Sequence, residues 1–382
     1  MLRMLTTLAL AGVTSMAVAA EPKLPKTMVW TAYDLGSSGY AEATGMANAF
    51  KKHFGSRIRI IPAGTSIGRL LPLVTRKASY GFLANEAYFS SEGSYDFAEE
   101  TWGPQDIRIV LGKPSSTALA VAKDTGVVTI YDLKGKRLGY VKGNPSVNVK
   151  NDAYLAFAGL TRADITPVWF GSYGAMKTAV LANQLDAFSS VTTSANMREI
   201  EASPRGLTYA QLPPDDKAGW AKLTAVIDFA GPVRESRGAG LSEAAPQNLM
   251  QSRYPMITVY PKDVSADEAY QFVLAADIAY EDYNKTTATS TEWAVERSGK
   301  GPADAPMHEG TIRYMKEKGY WTAADQDWQD KRVARLNKYL GLWGDAQDEF
   351  HTWREAEAAK GNKIDPKEAW PEYWEKYRAA HK

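Results

Sequence analysis

"RLGYVKGNPSVNVKND", residues 137–152, passes from an apolar, strand-like run through a small polar turn into a stretch with helical character. A strand turning over Gly143 and Asn144 into a helix is the repeating unit of an α/β fold. Such a turn presents backbone N–H groups at a helix N-terminus, where partial positive charge favours an anion. The turn lacks the P-loop lysine spacing, and no GxGxxG follows a strand in the chain, so a nucleotide phosphate is not indicated.

The same unit recurs on the N-terminal side. "KTMVWTAY" (26–33) reads as a strand ending in "DLGSSGY", with a helix predicted over 41–54. "SRIRIIPA" (56–63) alternates like a half-buried strand and enters "GTSIGRLLPLVTRK" (64–77), a second Gly-rich turn opening a helix. "YGFLANEAYFS" (80–90) is a short apolar strand followed by polar residues. This βαβαβ order predicts a parallel sheet covered by helices.

A long strand is predicted in "STALAVAKDTG" (116–126), and residues 137–152 then begin a second α/β series. Its helix 147–159 precedes the strand "DITPVWFG" (164–171), helix 173–184 and the short strand "LDAFSSV" (185–191). Residues 205–240 read as loops, after which "YPMITVY" (254–260) gives a further strand and Ser265 starts a helix. The C-terminal segment is helical and aromatic: Asp365 is an N-cap, Pro366 the first helical residue, and Trp370, Tyr373, Trp374 and Tyr377 share a helical face. That stripe predicts packing on the body of the protein, with a dimer surface as the alternative, and Pro371 predicts a restart of the helix.

Composition narrows the setting. Arg3, the apolar run Leu5–Val18 and the small residues "AVAA" predict a signal peptide, residues 1–20, cleaved after Ala20. With no cysteine there is neither a disulfide nor a lipid-modified cysteine, so the expectation is an unanchored periplasmic protein. A formal net charge of +1 over 382 residues gives no basis for a nucleic-acid partner. His53, His308, His351 and His381 lack paired ligand spacing, so no metal and no cofactor is expected.

One motif argues for an enzyme. Gly64-Thr65-Ser66-Ile67-Gly68 matches GxSxG between a strand and a helix, and a hydrolase would use Ser66 with His308 or His351 as base. Only two strands precede it, fewer than an α/β-hydrolase places there. Binding is the competing reading. Four strand-to-helix turns, 36–40, 64–69, 142–148 and 189–196, carry Gly, Ser, Thr or Asn, and ligands collect beyond the carboxyl ends of such strands.

Several segments resemble the TAXI family, the periplasmic solute-binding proteins of one class of TRAP transporters. They include "GSSGYAEATGMANAF", "GTSIGRLL", "YGFLANEAYF", "VTIYDLKGKRLGYVKGNPS", "AGLTRADITPV", "LDAF", "VYPKDVSADEAYQFV" and "PMHEGTIRYMKEKG", in that order between residues 28 and 320. The resemblance implies an α/β fold: a two-lobed type II binding protein, each lobe a mainly parallel sheet flanked by helices. Lobe 1 would comprise residues 21–113 and 220–321, lobe 2 residues 114–219, and a C-terminal helical extension residues 322–382. The implied ligand is a small carboxylate or amino acid, delivered to a membrane TRAP permease by a monomeric, non-enzymatic subunit. A sensor-coupled binding protein of the same fold is the alternative partner reading.

Carried over by position, the ligand loops fall on Gly36, Ser37, Ser38, Gly39 and Tyr40, then on Gly64, Thr65 and Ser66. Further along they fall on Asn85, on Asn144 and Ser146, and on Ser190 and Thr192. Arg69, where the family usually has asparagine, suggests a bidentate carboxylate clamp or else a surface or inter-helix role. Glu86 is a candidate for a ligand ammonium or else an exposed loop charge, and Tyr33, Tyr40, Trp169 and Tyr173 are candidate apolar walls or else buried packing. The chain also departs from the family at Ala41, Glu42 and Ala43, at Tyr80, and at Thr193-Ser194-Ala195, changes placed in or beside the cleft.

Overall fold

A computed structural model describes residues 21–301 and 303–381, so the expected signal peptide lies outside the described residues. The first series runs β1 (Thr27–Tyr33), α1 (Ser38–Phe54), β2 (Arg57–Ala63), α2 (Ser66–Val74), β3 (Tyr80–Leu83) and α3 (Glu86–Glu92). After the long strand β4 (Arg108–Ala122) comes β5 (Arg137–Val141), α4 (Pro145–Phe157), β6 (Thr166–Phe170), α5 (Tyr173–Leu181), β7 (Ala187–Val191) and α6 (Ala195–Glu201). Then follow β8 (Leu207–Tyr209), α7 (Lys217–Val226), β9 (Gly231–Glu235) and β10 (Gln247–Val259). The chain continues through α8 (Ala266–Ile278), the single turns α9 (Tyr280–Tyr283) and α10 (Val295–Ser298), and α11 (Glu309–Glu317). It ends in α12 (Ala323–Ala359) and α13 (Pro366–Ala380).

Two parallel triplets organise the sheet. β1 pairs in parallel with β2 and β3, and β5 pairs in parallel with β6 and β7. Parallel pairs need a crossover, which the intervening helices supply. The triplets are joined by two long antiparallel strands, giving the order β2-β1-β3-β10-β4-β7-β5-β6, with β8 on β4 and β9 on β10. This is the two-lobed α/β architecture, with its parallel strands flanked by helices, that the sequence led us to expect. β4 pairs with both β10 and β7, and β10 pairs with β3, β4 and β9, so these strands link the halves.

Separate cores fill the two halves. One gathers Trp30, Phe50, Phe82, Phe272 and Trp293, and the other Val141, Met176, Phe188, Met197 and Tyr209. A third, with Ile109, Leu119, Tyr154 and Met256, extends along the linking strands. Glu42 belongs to the first half: it is 2% exposed and binds Lys113 of β4 at 2.8 Å and the Trp293 indole at 2.9 Å. It is therefore a buried tie within that half and does not line the cleft, although the sequence comparison had placed it beside one.

Two local expectations change. Residues 205–240, read as loops, carry β8, α7 and β9, with α7 capped by Asp216 and anchored by buried Trp220 and Leu223. The preceding "LPPDD" obscured the helical period. At the other end, α13 continues through Pro371 without restarting. An interior proline costs about 3 kcal/mol, but here it lies between Trp370 and Trp374, both fully buried against Phe350 and Ala346 of α12. The Trp374 indole also donates to the Gly93 carbonyl at 2.6 Å, so the two tryptophans of the stripe pack within the chain.

Candidate functional site

The turns of the two halves meet face to face. Ser66, the first residue of α2, donates to the Asn144 side-chain oxygen at 2.8 Å. The Tyr173 amide donates to the Gly64 carbonyl at 3.1 Å, and the Ile67 amide to the Gly143 carbonyl at 3.2 Å. Ser194 Oγ donates to the Gly36 carbonyl at 3.1 Å. Gly36 has φ +80°, a conformation glycine adopts without strain, and a Cβ there would stand 2.7 Å from Asn196 Oδ1 of α6. The opening stretch thus contributes Asn144 as a contact across the cleft.

Between the turns lies a cavity of about 40 Å³. The first half contributes Tyr33, Asp34, Ser37 and Arg69 to its wall, the second Asn144, Ser146, Lys150, Tyr173 and Ser190, and β10 adds Tyr254. Of the sequence-predicted residues, Ser37, Arg69, Asn144, Ser146 and Ser190 therefore reach the cavity, as do the suggested walls Tyr33 and Tyr173. The others do not line it.

The excluded residues have identifiable tasks. Thr65 caps α2 by accepting from the Gly68 amide at 3.0 Å. Ser38, Gly39 and Tyr40 lie in the first turn of α1, where the Gly39 amide donates to the Tyr254 hydroxyl at 3.3 Å. Asn85 is wholly buried and donates to Asp304 at 2.6 Å. Thr192 donates to the Arg237 carbonyl at 2.8 Å. Gly64 and Ser66 are spent on the cross-cleft contacts already described. Trp169 is 46% exposed and packs on Tyr140 rather than in the cleft.

Charge is distributed differently from the expectation. Arg69 takes the inter-helix role rather than that of a surface residue or an unoccupied clamp: it is 3% exposed, and from α2 its Nε donates to Glu86 Oε1 of α3 at 2.6 Å. Its guanidinium also lies over the Tyr33 ring at 4.4 Å. Glu86 is fully buried and accepts further hydrogen bonds from Ser146 of α4 and from Ser66 at 3.3 Å. Burial alone would raise the Glu86 carboxyl, but Arg69 and the hydroxyl of Ser146 hold it below the usual carboxylate range. Glu86 is consequently an internal counterion, and it does not stand open to a ligand ammonium.

Asp34 plays a parallel part. Its Oδ2 accepts from the Gly174 amide at 3.1 Å in the first turn of α5, and its Oδ1 from the Leu35 amide at 3.0 Å. A carboxylate at a helix N-terminus is favourable by charge and by hydrogen bonding. This carboxylate ties β1's end to the second half.

Lys150 is the feature that sequence reasoning missed. It lies on α4 four residues after Ser146, hence on the same helix face, and only 6% of it is exposed. Among the described residues its ammonium has no hydrogen bond or ion pair. Burial pushes its pKa down to about 8, against the upward pull of Glu86 and Asp304, with Arg69 adding to the depression. The Tyr33 hydroxyl in the same wall is also buried and lacks a partner. Burial, with Glu86 as the next contribution, raises its pKa well above the usual value.

The hydrolase reading finds no support in this geometry. The hydrogen-bond partners of Ser66 Oγ are Asn144, Glu86 and Arg69. His308 instead caps α11 and bonds the Val264 carbonyl, while His351 pairs with Glu100.

A model of the NMT1-like family matches residues 36–319, and the chain belongs to that family. Comparison with curated proteins gives no match. Among solved structures, the chain is similar to the periplasmic aliphatic sulphonate binding protein SsuA from Escherichia coli. The identity is 16% and the TM-score 0.38, over 69% of this chain and 74% of that one. It is also similar to the alkanesulfonate-binding protein SsuA from Xanthomonas axonopodis pv. citri bound to MOPS (15% identity, TM-score 0.39, 81% and 95% covered). A periplasmic binding protein from Brucella ovis with glutathione bound gives 12% identity and a TM-score of 0.43, over 68% and 73%.

Proposed function

We propose that this member of the NMT1-like family is a solute-binding protein that captures a small organic acid between its two halves and delivers it to a membrane transporter. The observation that carries this reading is the cavity enclosed by residues of both halves, with Lys150 in its wall and no partner for that ammonium. A buried ammonium without a counterion is costly, and an acid seated in the cavity would relieve that cost. Parting of the halves would admit the ligand, and the contacts joining Gly36, Gly64, Asp34 and Ser66 to the second half would re-form on closure.

The finer assignment is a TAXI-type subunit of a TRAP permease, acting without catalysis in the periplasm. The order of the family-like segments supports it. Among the described residues, no helix is long and apolar enough to cross a membrane. The proposed division, residues 21–113 and 220–321 against 114–219, is supported by β4 and β10 as the strands that link the halves.

A thermal-shift screen of small acids tests the binding claim, because a ligand at 100 times its Kd stabilises the native state by about 2.7 kcal/mol. If no acid shifts the melting temperature, the reading fails. Reconstituted uptake tests the partner: dependence on an ion gradient without ATP supports a TRAP permease, and ATP-driven uptake contradicts it. Ester hydrolysis abolished by Ser66→Ala would contradict the non-enzymatic reading.

A further inference from the structure

We infer that Lys150 and Tyr33 hold the ligand's acid group, and that the ligand is a compact monocarboxylate without an ammonium group. The inference rests on the binding reading above and narrows its substrate class. Among the positive groups that meet the cavity are the Arg69 guanidinium, the N-terminus of α5 and the Lys150 ammonium. The protein's own carboxylates already occupy the first two, Glu86 on Arg69 at 2.6 Å and Asp34 on the Gly174 amide at 3.1 Å. Of these, Lys150 alone is left without an anion, and the Tyr33 hydroxyl of the same cavity wall is left without an acceptor. One carboxylate accepts from both: an ammonium and a phenol donate, and a carboxylate has two acceptor oxygens.

The same bookkeeping of partners excludes other acids. A ligand ammonium needs a carboxylate, yet both oxygens of Glu86 and both of Asp34 already accept hydrogen bonds. Asp304 lies behind the wall, held by Asn85 at 2.6 Å, and does not line the cavity. A second ligand carboxylate would have no cation left to meet it. Size points the same way, since about 40 Å³ admits about three water-sized occupants.

Calorimetric titration with acetate, lactate and pyruvate, set against alanine, glutamate and succinate, tests the inference on the full-length mature protein. The monocarboxylates are expected to bind, with affinity about 100-fold weaker in Lys150→Met and about tenfold weaker in Tyr33→Phe. Wild-type affinity is expected to fall as pH rises through about 8, where the buried ammonium, acted on by Glu86, Asp304 and Arg69, loses its proton. This profile needs no variant to fold. Undiminished monocarboxylate binding in Lys150→Met, or binding independent of pH across that window, overturns the role of Lys150. Tighter binding of succinate, alanine or glutamate overturns the ligand class while leaving the cleft-capture reading intact. Failure of every acid to bind overturns both.

Discussion

Replacing Lys150 by Met should make the unliganded protein more stable while weakening its capture of acids. The magnitude follows from the displacement of the lysine pKa from 10.5 to about 8. Each unit corresponds to about 1.36 kcal/mol, so the buried ammonium costs about 3 kcal/mol at pH 7. Methionine follows a similar path through the wall and needs no counterion. Between about pH 8 and 10.5 the unfolded chain binds the proton that the folded chain has released, so this residue's contribution to stability rises with pH in the wild type. It is absent from the variant, and the gap between the two proteins should close over that window. Denaturant unfolding at pH 7 and pH 10, without ligand, measures both quantities. A Lys150→Met protein less stable than wild type at pH 7 would refute the reasoning, because it would mean that the ammonium has a stabilising partner.

Three further outcomes follow from the same geometry. Glu86→Ala strands the Arg69 guanidinium and should cost about 3–5 kcal/mol in an unfolding titration; a loss below 1 kcal/mol would show that the pair is solvated. Asp304 is pushed up to about 7 by burial, against the pull of its Asn85 hydrogen bond and of Arg332, Lys150 and Arg253. The folded state therefore holds its proton longer, and its stabilising contribution falls by up to about 4 kcal/mol from pH 4 to pH 7; Asp304→Asn should flatten that part of the stability profile, and an unchanged slope would contradict the shift. In Gly36→Ala, an alanine on a backbone at φ +80° should cost about 1–2 kcal/mol in an unfolding titration, while the Asn196 side chain turns aside from the new Cβ; unchanged stability would contradict the left-handed backbone at this turn.

The parallel triplets were legible because their signals are local. Apolar runs end in Gly- and Ser-bearing turns, and each helix start sits within two or three residues of its turn. The turns from the two series were read as facing one another, and contacts such as Ser66 to Asn144 join them directly. What escaped was pairing over distance. Arg69 and Glu86 look like two unrelated loop charges until β3 lies beside β1 and brings α2 and α3 together. Tyr254 enters the wall from β10, more than 200 residues after the turn whose Gly39 it contacts. Lys150 was hidden by its helix, where a lysine ordinarily faces solvent. The available signal was its position four residues after Ser146, on the face that the turn directs into the cleft.

The most direct test of the central claim is a crystal structure with the acid that gives the largest thermal shift. Its carboxylate should lie between the halves within hydrogen-bonding distance of Lys150 Nζ and the Tyr33 hydroxyl, with Arg69 still on Glu86 and Asp34 still on Gly174. An acid bound outside this cavity, or one that displaces Glu86 from Arg69 and leaves Lys150 unpaired, would contradict the account.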